Sequence, residues 1–168
     1  MNRLIWTGIC ALAAGCIAST ATAAGRDDKI LEFDTMVGVP LPYTGPTNAI
    51  RGVNGGGLPW TIAGAEGDLT ASGKLEIRVT GLVFADDSIV PENIRGKNTV
   101  PNFRAIVSCL SRSSPTSAST VNVVTAPFPA SATGDAYIEA QLELPQPCIA
   151  PIIFVTSPTG AWFAATGM

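Results

Sequence analysis

From Lys29 onward the chain alternates apolar and polar residues with a period of two. That is the repeat of a strand with one face on a core and the other in water. Segment 74–84 shows it most clearly: Leu75, Ile77 and Val79 fall on one side, and Lys74, Glu76, Arg78 and Thr80 on the other. Segment 133–144 repeats it, with Ala136, Ile138, Ala140, Leu142 and Leu144 set against Tyr137, Glu139, Gln141 and Glu143. In 29–39, Leu31, Phe33, Thr35 and Val37 share a face, and 60–69 reads as a second strand. The turn Thr70-Ala71-Ser72-Gly73 then joins 60–69 to 74–84 as a hairpin. Segment 103–110 aligns Phe103, Ala105, Val107 and Cys109; 120–125 and 162–166 are shorter strands. Ile149–Thr156 is almost wholly apolar, the mark of a central strand. No segment sustains a helical period with charges on the opposite face.

Gly- and Pro-rich stretches separate these segments. Residues 40–59 hold Pro40, Pro42, Pro46 and the Gly55-Gly56-Gly57 run, read as a flexible turn before Trp60. Residues 85–101 form a polar loop, and 111–119 a Ser/Thr-rich turn. Seven or eight short, evenly spaced strands predict an all-β domain, an antiparallel β-sandwich of two sheets packed face to face. A closed β-barrel is the alternative. An immunoglobulin domain would bury a Trp between its two cysteines, and no Trp lies between Cys109 and Cys148.

The first 24 residues read as a secretory signal peptide. Asn2 and Arg3 precede an apolar run over 4–18, and an Ala-x-Ala site falls before the bond after Ala23. The run is short for a membrane span. Residues 25–168 are then one exported domain of about 145 residues, enough for a substantial core. An alternative starts from Leu12-Ala13-Ala14-Gly15-Cys16, which resembles a bacterial lipobox and would make Cys16 the lipidated first residue of a membrane-anchored lipoprotein. With Cys10 and Cys16 in the leader, Cys109 and Cys148 remain, and in an oxidising compartment two cysteines most simply form one disulfide. Two buried thiols are the other reading.

Several segments together resemble a type of small secreted bacterial β-sandwich domain with no assigned function. They are Gly55-Gly56-Gly57-Leu58-Pro59-Trp60, Phe103-Arg104-Ala105-Ile106-Val107-Ser108-Cys109, Pro127-Phe128-Pro129-Ala130 with Thr133-Gly134-Asp135-Ala136, Pro147-Cys148-Ile149-Ala150-Pro151 with Phe154-Val155, and Gly160-Ala161-Trp162-Phe163. The resemblance implies a fold and a compartment, and no activity. A fainter, fold-level similarity is to chordin-type domains, on Ser72-Gly73-Lys74-Leu75 through Gly81-Leu82. That family commonly carries His in these segments, and this chain has none.

The missing histidine removes Ser-His-Asp and Cys-His catalysis, the commonest zinc shells and the usual neutral-pH base. Lys29, Lys74 and Lys97 sit in no Ser-x-x-Lys context. Carboxylates remain. Asp86, Asp87 and Glu92 share one loop and are the candidate Ca²⁺ ligands, although their spacing is not that of an EF-hand and a solvated loop is the simpler reading. Glu139 and Glu143 lie two pleats apart at roughly 13 Å, beyond the separations glycosidases use. The Gly55 run lacks the Lys-Ser/Thr ending of a phosphate loop.

Binding candidates are the aromatics Trp60, Tyr43 and Tyr137, with Trp162 and Phe128. Core packing is the expected fate of both tryptophans, and Tyr137 is the aromatic expected outside. Nine Lys and Arg against thirteen Asp and Glu in the exported domain leave a net charge of about −4, and Arg95, Lys97 and Arg104 form too small a basic group for nucleic acid. No cofactor is implied. The expectation is an exported, non-catalytic domain that binds or associates structurally with an extracellular or cell-surface protein or glycan, with any function on loops 40–59 and 85–101. A lipid-anchored accessory protein and a carboxylate-based, Ca-dependent hydrolase are the alternatives.

Overall fold

The computed structural model describes residues 28–114 and 116–167, so the expected signal peptide and the lipobox reading of Cys16 lie outside the described residues. Its strands are β1 (Lys29–Phe33), β2 (Val37–Gly38), β3 (Trp60–Thr61), β4 (Gly64–Thr70), β5 (Lys74–Thr80), β6 (Val83–Phe84), β7 (Asn102–Ser114), β8 (Ser117–Val124), β9 (Phe128–Pro129), β10 (Ala136–Gln141), β11 (Ile149–Thr156) and β12 (Trp162–Ala165). Sheet A runs β1-β4-β5-β10 and sheet B runs β2-β12-β11-β7-β8, with β9 beside β7 and a separate β3-β6 ribbon. All named pairs are antiparallel, and both sheets end in open strands, so the fold is a β-sandwich and not a closed barrel.

Period-two patterning decides which faces meet. In sheet A, Ala65, Leu69, Leu75, Ile77, Val79 and Ile138 are buried. Opposite them sheet B supplies Phe103, Ala105, Val107, Cys109, Ile153 and Val155. Leu142 is buried as the alternation predicts, and Arg78, Glu139 and Gln141 are exposed. Two positions depart from the expectation: Ala140 is half-buried, being on the outermost strand of sheet A, and Glu76 is half-buried because β4 and β10 flank it. Trp60 stacks on Phe163 at 4.0 Å between ring centroids and meets Phe84 at 4.2 Å, joining the ribbon to sheet B.

Three predicted strands are broken, each where the chain changes partners. The 29–39 strand divides at Asp34 as the chain leaves sheet A for sheet B, so Thr35 and Val37 face water and Met36 is buried instead. The 60–69 and 74–84 strands both divide near Gly81, which takes φ +64. There the chain peels off sheet A: Gly81 N donates to Asp135 Oδ1 at 3.0 Å and Leu82 N donates to the Gly134 carbonyl at 3.0 Å. Gly134 sits at φ +81, and a Cβ on it would overlap the Leu82 backbone, so glycine is required. The 111–119 turn is instead mostly strand, because β7 and β8 pair out to Ser114 and Ser117 in one long hairpin.

Sheet B is covered on its outer face as well. By alternation that face holds Ile106, Ser108, Phe154 and Trp162, and all four are buried. The cover is the 40–59 loop, whose ends meet where Trp60 N donates to the Val39 carbonyl. Tyr43 lies against Trp162 with ring centroids 6.4 Å apart, and Gly55 pairs with Trp162 in parallel. Farther across, Arg51 Nη1 donates to the Ser108 carbonyl at 2.8 Å, and Asn122 Nδ2 donates to the Arg51 carbonyl at 3.1 Å. The loop thus spans β12 to β8.

The Gly55-Gly56-Gly57 run is therefore no flexible turn. Gly55 and Gly56 are buried, a Cβ on Gly55 would overlap the Tyr43 carbonyl, and one on Gly56 would lie 3.0 Å from the Phe163 ring. Near the Arg51 contact, the β11–β7 register shifts between Ile149 and Ile152. The disulfide Cys109–Cys148, with Cα atoms 4.9 Å apart, joins the two strands beside that interruption. In the chain-entropy model its 39-residue separation is worth about 4 kcal/mol.

Ile77 is fully buried, so Ile77→Ala lowers the unfolding free energy by about 2–5 kcal/mol, read as a shift in the urea midpoint. Asp135 accepts from Thr133 Oγ1 at 2.7 Å, from Gly81 N and from Ser131 Oγ at 3.1 Å. The Thr133 hydroxyl first, then the Gly81 amide, hold its carboxyl below the ordinary aspartate range. A depressed folded-state pKa gives stability that is complete above the unfolded pKa and is lost as pH falls through the folded one. Asp135→Asn therefore costs at most about 1 kcal/mol at neutral pH, given its exposure. Thermal melts from pH 7 to pH 2 should show the gap to wild type closing in acid.

Candidate functional site

Sheet A turns its outer face to water, and strand register assembles there what no single segment contains. Glu32 pairs with Asp68, Asp68 with Glu76, and Glu76 with Glu139. Four carboxylates from four strands thus form one row across the sheet. Directly opposed residues on a sheet face have Cβ atoms roughly 4.5–5.5 Å apart, and like charges so placed repel.

The neighbouring rows supply cations. Lys29 Nζ lies 3.0 Å from Glu32 Oε1 and 3.4 Å from Asp68 Oδ1, and Arg78 Nε lies 3.3 Å from Glu66 Oε1. Lys74 pairs with Glu76. Hydrogen bonding to Glu32 raises the Lys29 pKa above its ordinary value, with Asp68 adding to it. Hydrogen bonding to Glu76 raises Lys74 in the same way, with the charges of Glu139 and Asp68 behind it. A wide groove of about 660 Å³ runs over this region, lined by Glu32, Asp34, Glu66, Asp68, Glu76 and Arg78.

Tyr137 stands at the end of the adjacent row, opposite Arg78. It is 47% exposed, and the Arg78 guanidinium carbon lies 5.6 Å from its ring centroid. That contact holds one side of the ring by a cation–π attraction. A second groove, about 500 Å³, is lined by Tyr137 and Phe128 together with Lys74, Glu139 and Gln141. An aromatic surface bordered by an ammonium, a carboxylate and an amide can stack on an apolar ring face while exchanging hydrogen bonds at its rim.

The other sequence candidates scatter. Trp60 is only 4% exposed and stacked within the core, so it offers no face to a ligand. Tyr43 is half-buried against Trp162 and belongs to the loop that covers sheet B. Asp86, Asp87 and Glu92 lie along a series of tight turns, and Asp87 Oδ1 accepts from Ile89 N at 3.0 Å. Among the described residues no group of three or more His, Cys, Asp or Glu is gathered in a metal-binding arrangement.

Loop 85–101 is tied to its own backbone. Arg95 Nε donates to the Val90 carbonyl at 2.7 Å, Lys97 Nζ to the Asn93 carbonyl at 3.1 Å, and Val90 is fully buried. Arg104 instead joins the Thr125 and Pro158 carbonyls, apart from that loop. The carboxylate row was missed because its members are far apart in sequence. The available signal was the outward half of each alternation, which marks Glu76 and Glu139 as solvent-facing on strands that turn out to be neighbours.

No protein-family model matches the chain, no curated protein matches it, and no solved structure matches its fold.

Lys74 is the cation nearest the middle of the row, so Lys74→Gln should lower Tm at low ionic strength. The deficit should shrink in about 1 M salt, where the Debye length falls to roughly 3 Å. Because the folded-state pKa of Lys74 is raised, its contribution is complete below the unfolded lysine pKa and is lost as pH rises through the folded one. Melts at low and high salt, and at neutral and strongly alkaline pH, check both dependences.

Proposed function

We propose that this protein is an exported, non-catalytic β-sandwich domain that acts by binding or structural association, with its contact surface centred on Tyr137. Its partner is an extracellular or cell-surface protein or glycan. The observation that carries the reading is the exposure of Tyr137, braced by Arg78 and bordered by Phe128, Lys74, Glu139 and Gln141. Tyr and Arg are enriched among the few interface residues that carry most of a binding energy. The disulfide suits an oxidising compartment, in keeping with the leader at the N-terminus. Among the described residues no helix is long and apolar enough to cross a membrane. The resemblance to small secreted bacterial domains is part of the same proposal.

The chain's lack of histidine supports a non-catalytic role. The carboxylate row is the feature a hydrolytic reading would use. It lies on a solvent-facing sheet, where no wall of the fold excludes water from a substrate.

The test is a glycan and peptide array probed with the exported protein and with Tyr137→Ala. A bound class should appear with wild type, and the substitution should weaken it at least about tenfold with Tm unchanged. Binding that survives Tyr137→Ala, or turnover of an arrayed compound, would overturn the proposal.

A further inference from the structure

The two sheets end in four edges, and three of them are protected. β1 carries Lys29 and Glu32 and has a register shift. β10 carries Glu139. β2 is two residues long, and the bridge from Gly55 to Trp162 lies close to it. Charge, irregularity and shortness are the usual devices that stop a sheet edge from pairing with another chain.

The fourth edge, β8, is neither charged nor short, and its pairing with β7 shifts register only at the hairpin end, between Arg112 and Ser114. It is eight residues long, Ser117–Val124, and contains no charge and no proline. The whole stretch between Arg112 and Asp135 is uncharged. Among the described residues no strand pairs with the outer side of β8. Its side chains are mostly exposed: Ser117 to Thr120 and Asn122 are open to solvent, Val124 is 42% exposed, and Val121 and Val123 are half-buried.

The backbone there is ready to pair. In an antiparallel ladder, successive residues direct their N–H and C=O groups to opposite sides. Just past β8, Thr125 N donates to the Ala105 carbonyl on the β7 side. Counting back in twos turns Val123, Val121 and Ser119 toward β7. Val124, Asn122, Thr120 and Ala118 then direct their backbone groups to the open side.

We propose that a second copy of this chain docks on this edge, β8 against β8, so that two copies of sheet B join into one continuous antiparallel sheet about a two-fold axis. The absence of charge favours a second copy over an unrelated strand. Homotypic antiparallel pairing about a two-fold axis brings the residues beside the axis close to their own copies, so a charge there would meet a like charge, and β8 has none to oppose. With the axis at Val121, Thr120 lies opposite Asn122 of the second copy, and Ala118 covers its exposed Val124.

The test is the mass of the exported protein by sedimentation equilibrium at concentrations up to about 1 mM. Wild type should approach twice the chain mass. Thr120 is exposed, so Thr120→Lys and Thr120→Glu should both fold, with far-ultraviolet circular dichroism as the check, and each should be monomeric through like-charge repulsion. Mixing the two should restore the doubled mass. If one variant misfolds, the other still reports whether a charge at this position blocks association. A monomeric wild type over the whole range would overturn the proposal. So would a dimer indifferent to both substitutions, or a mixture of folded variants that stays monomeric.

Discussion

Burial of the second half of β11 on both faces is the constraint from which the rest of this structure follows. Ile153, Phe154, Val155 and Thr156 are all closed to solvent, so successive side chains on opposite sides of one strand need cover. Sheet A covers the Ile153 and Val155 side. The other side has no second sheet, and the 40–59 loop takes its place with Tyr43, Val53 and the buried glycines Gly55 and Gly56. Without that loop Phe154, Trp162 and Ile106 would open to water, a hydrophobic loss of roughly 1.5–3 kcal/mol for each large side chain. A long Gly/Pro segment, which on its own suggests a mobile presenting surface, here completes the core.

One of the contacts that hold this loop carries strain. Ile50 and Val53 exchange backbone hydrogen bonds around Arg51 and Gly52, both at positive φ. Glycine meets that demand readily, and arginine meets it at a cost of order 1 kcal/mol. The compensation is local. The Arg51 guanidinium reaches the Ser108 carbonyl, which by strand alternation faces the interrupted stretch of β11, and the Arg51 carbonyl takes the Asn122 amide. The disulfide closes β7 onto β11 beside the same interruption. Register shift, disulfide and loop anchor thus lie together, and the Arg51 side chain satisfies the Ser108 carbonyl beside the interruption.

With both faces of sheet B covered, two open surfaces built on strands remain, the outer face of sheet A and the edge of β8. They differ in chemistry. Sheet A presents alternating rows of carboxylates and cations around Tyr137, a surface that stays hydrated and discriminates by charge and stacking. The β8 edge presents backbone groups between Ser, Thr and Val side chains, which select for strand geometry and against charge.

The alternation along the chain already marked the all-β class, the buried sides of 74–80 and 136–142 and the central place of Ile149–Thr156, with a Cys109–Cys148 disulfide as one of two readings of the cysteines. The strand properties are local, because side-chain direction alternates along a strand whatever the strand packs on; the Cys109–Cys148 bond is a long-range contact that the fold decides. The breaks at Asp34 and Gly81 were not legible, because an alternating run continues across a point where the chain changes sheets. Nor was the fate of Trp60, Tyr43 and the Gly55 run, which depends on which surface the 40–59 loop meets. The row Glu32–Asp68–Glu76–Glu139 exists only through the register of four strands, and the open edge of β8 only through the order of strands in sheet B. Contacts between residues distant in the chain are set by how the sheets close on a shared core, and that geometry is a property of the whole fold rather than of any segment.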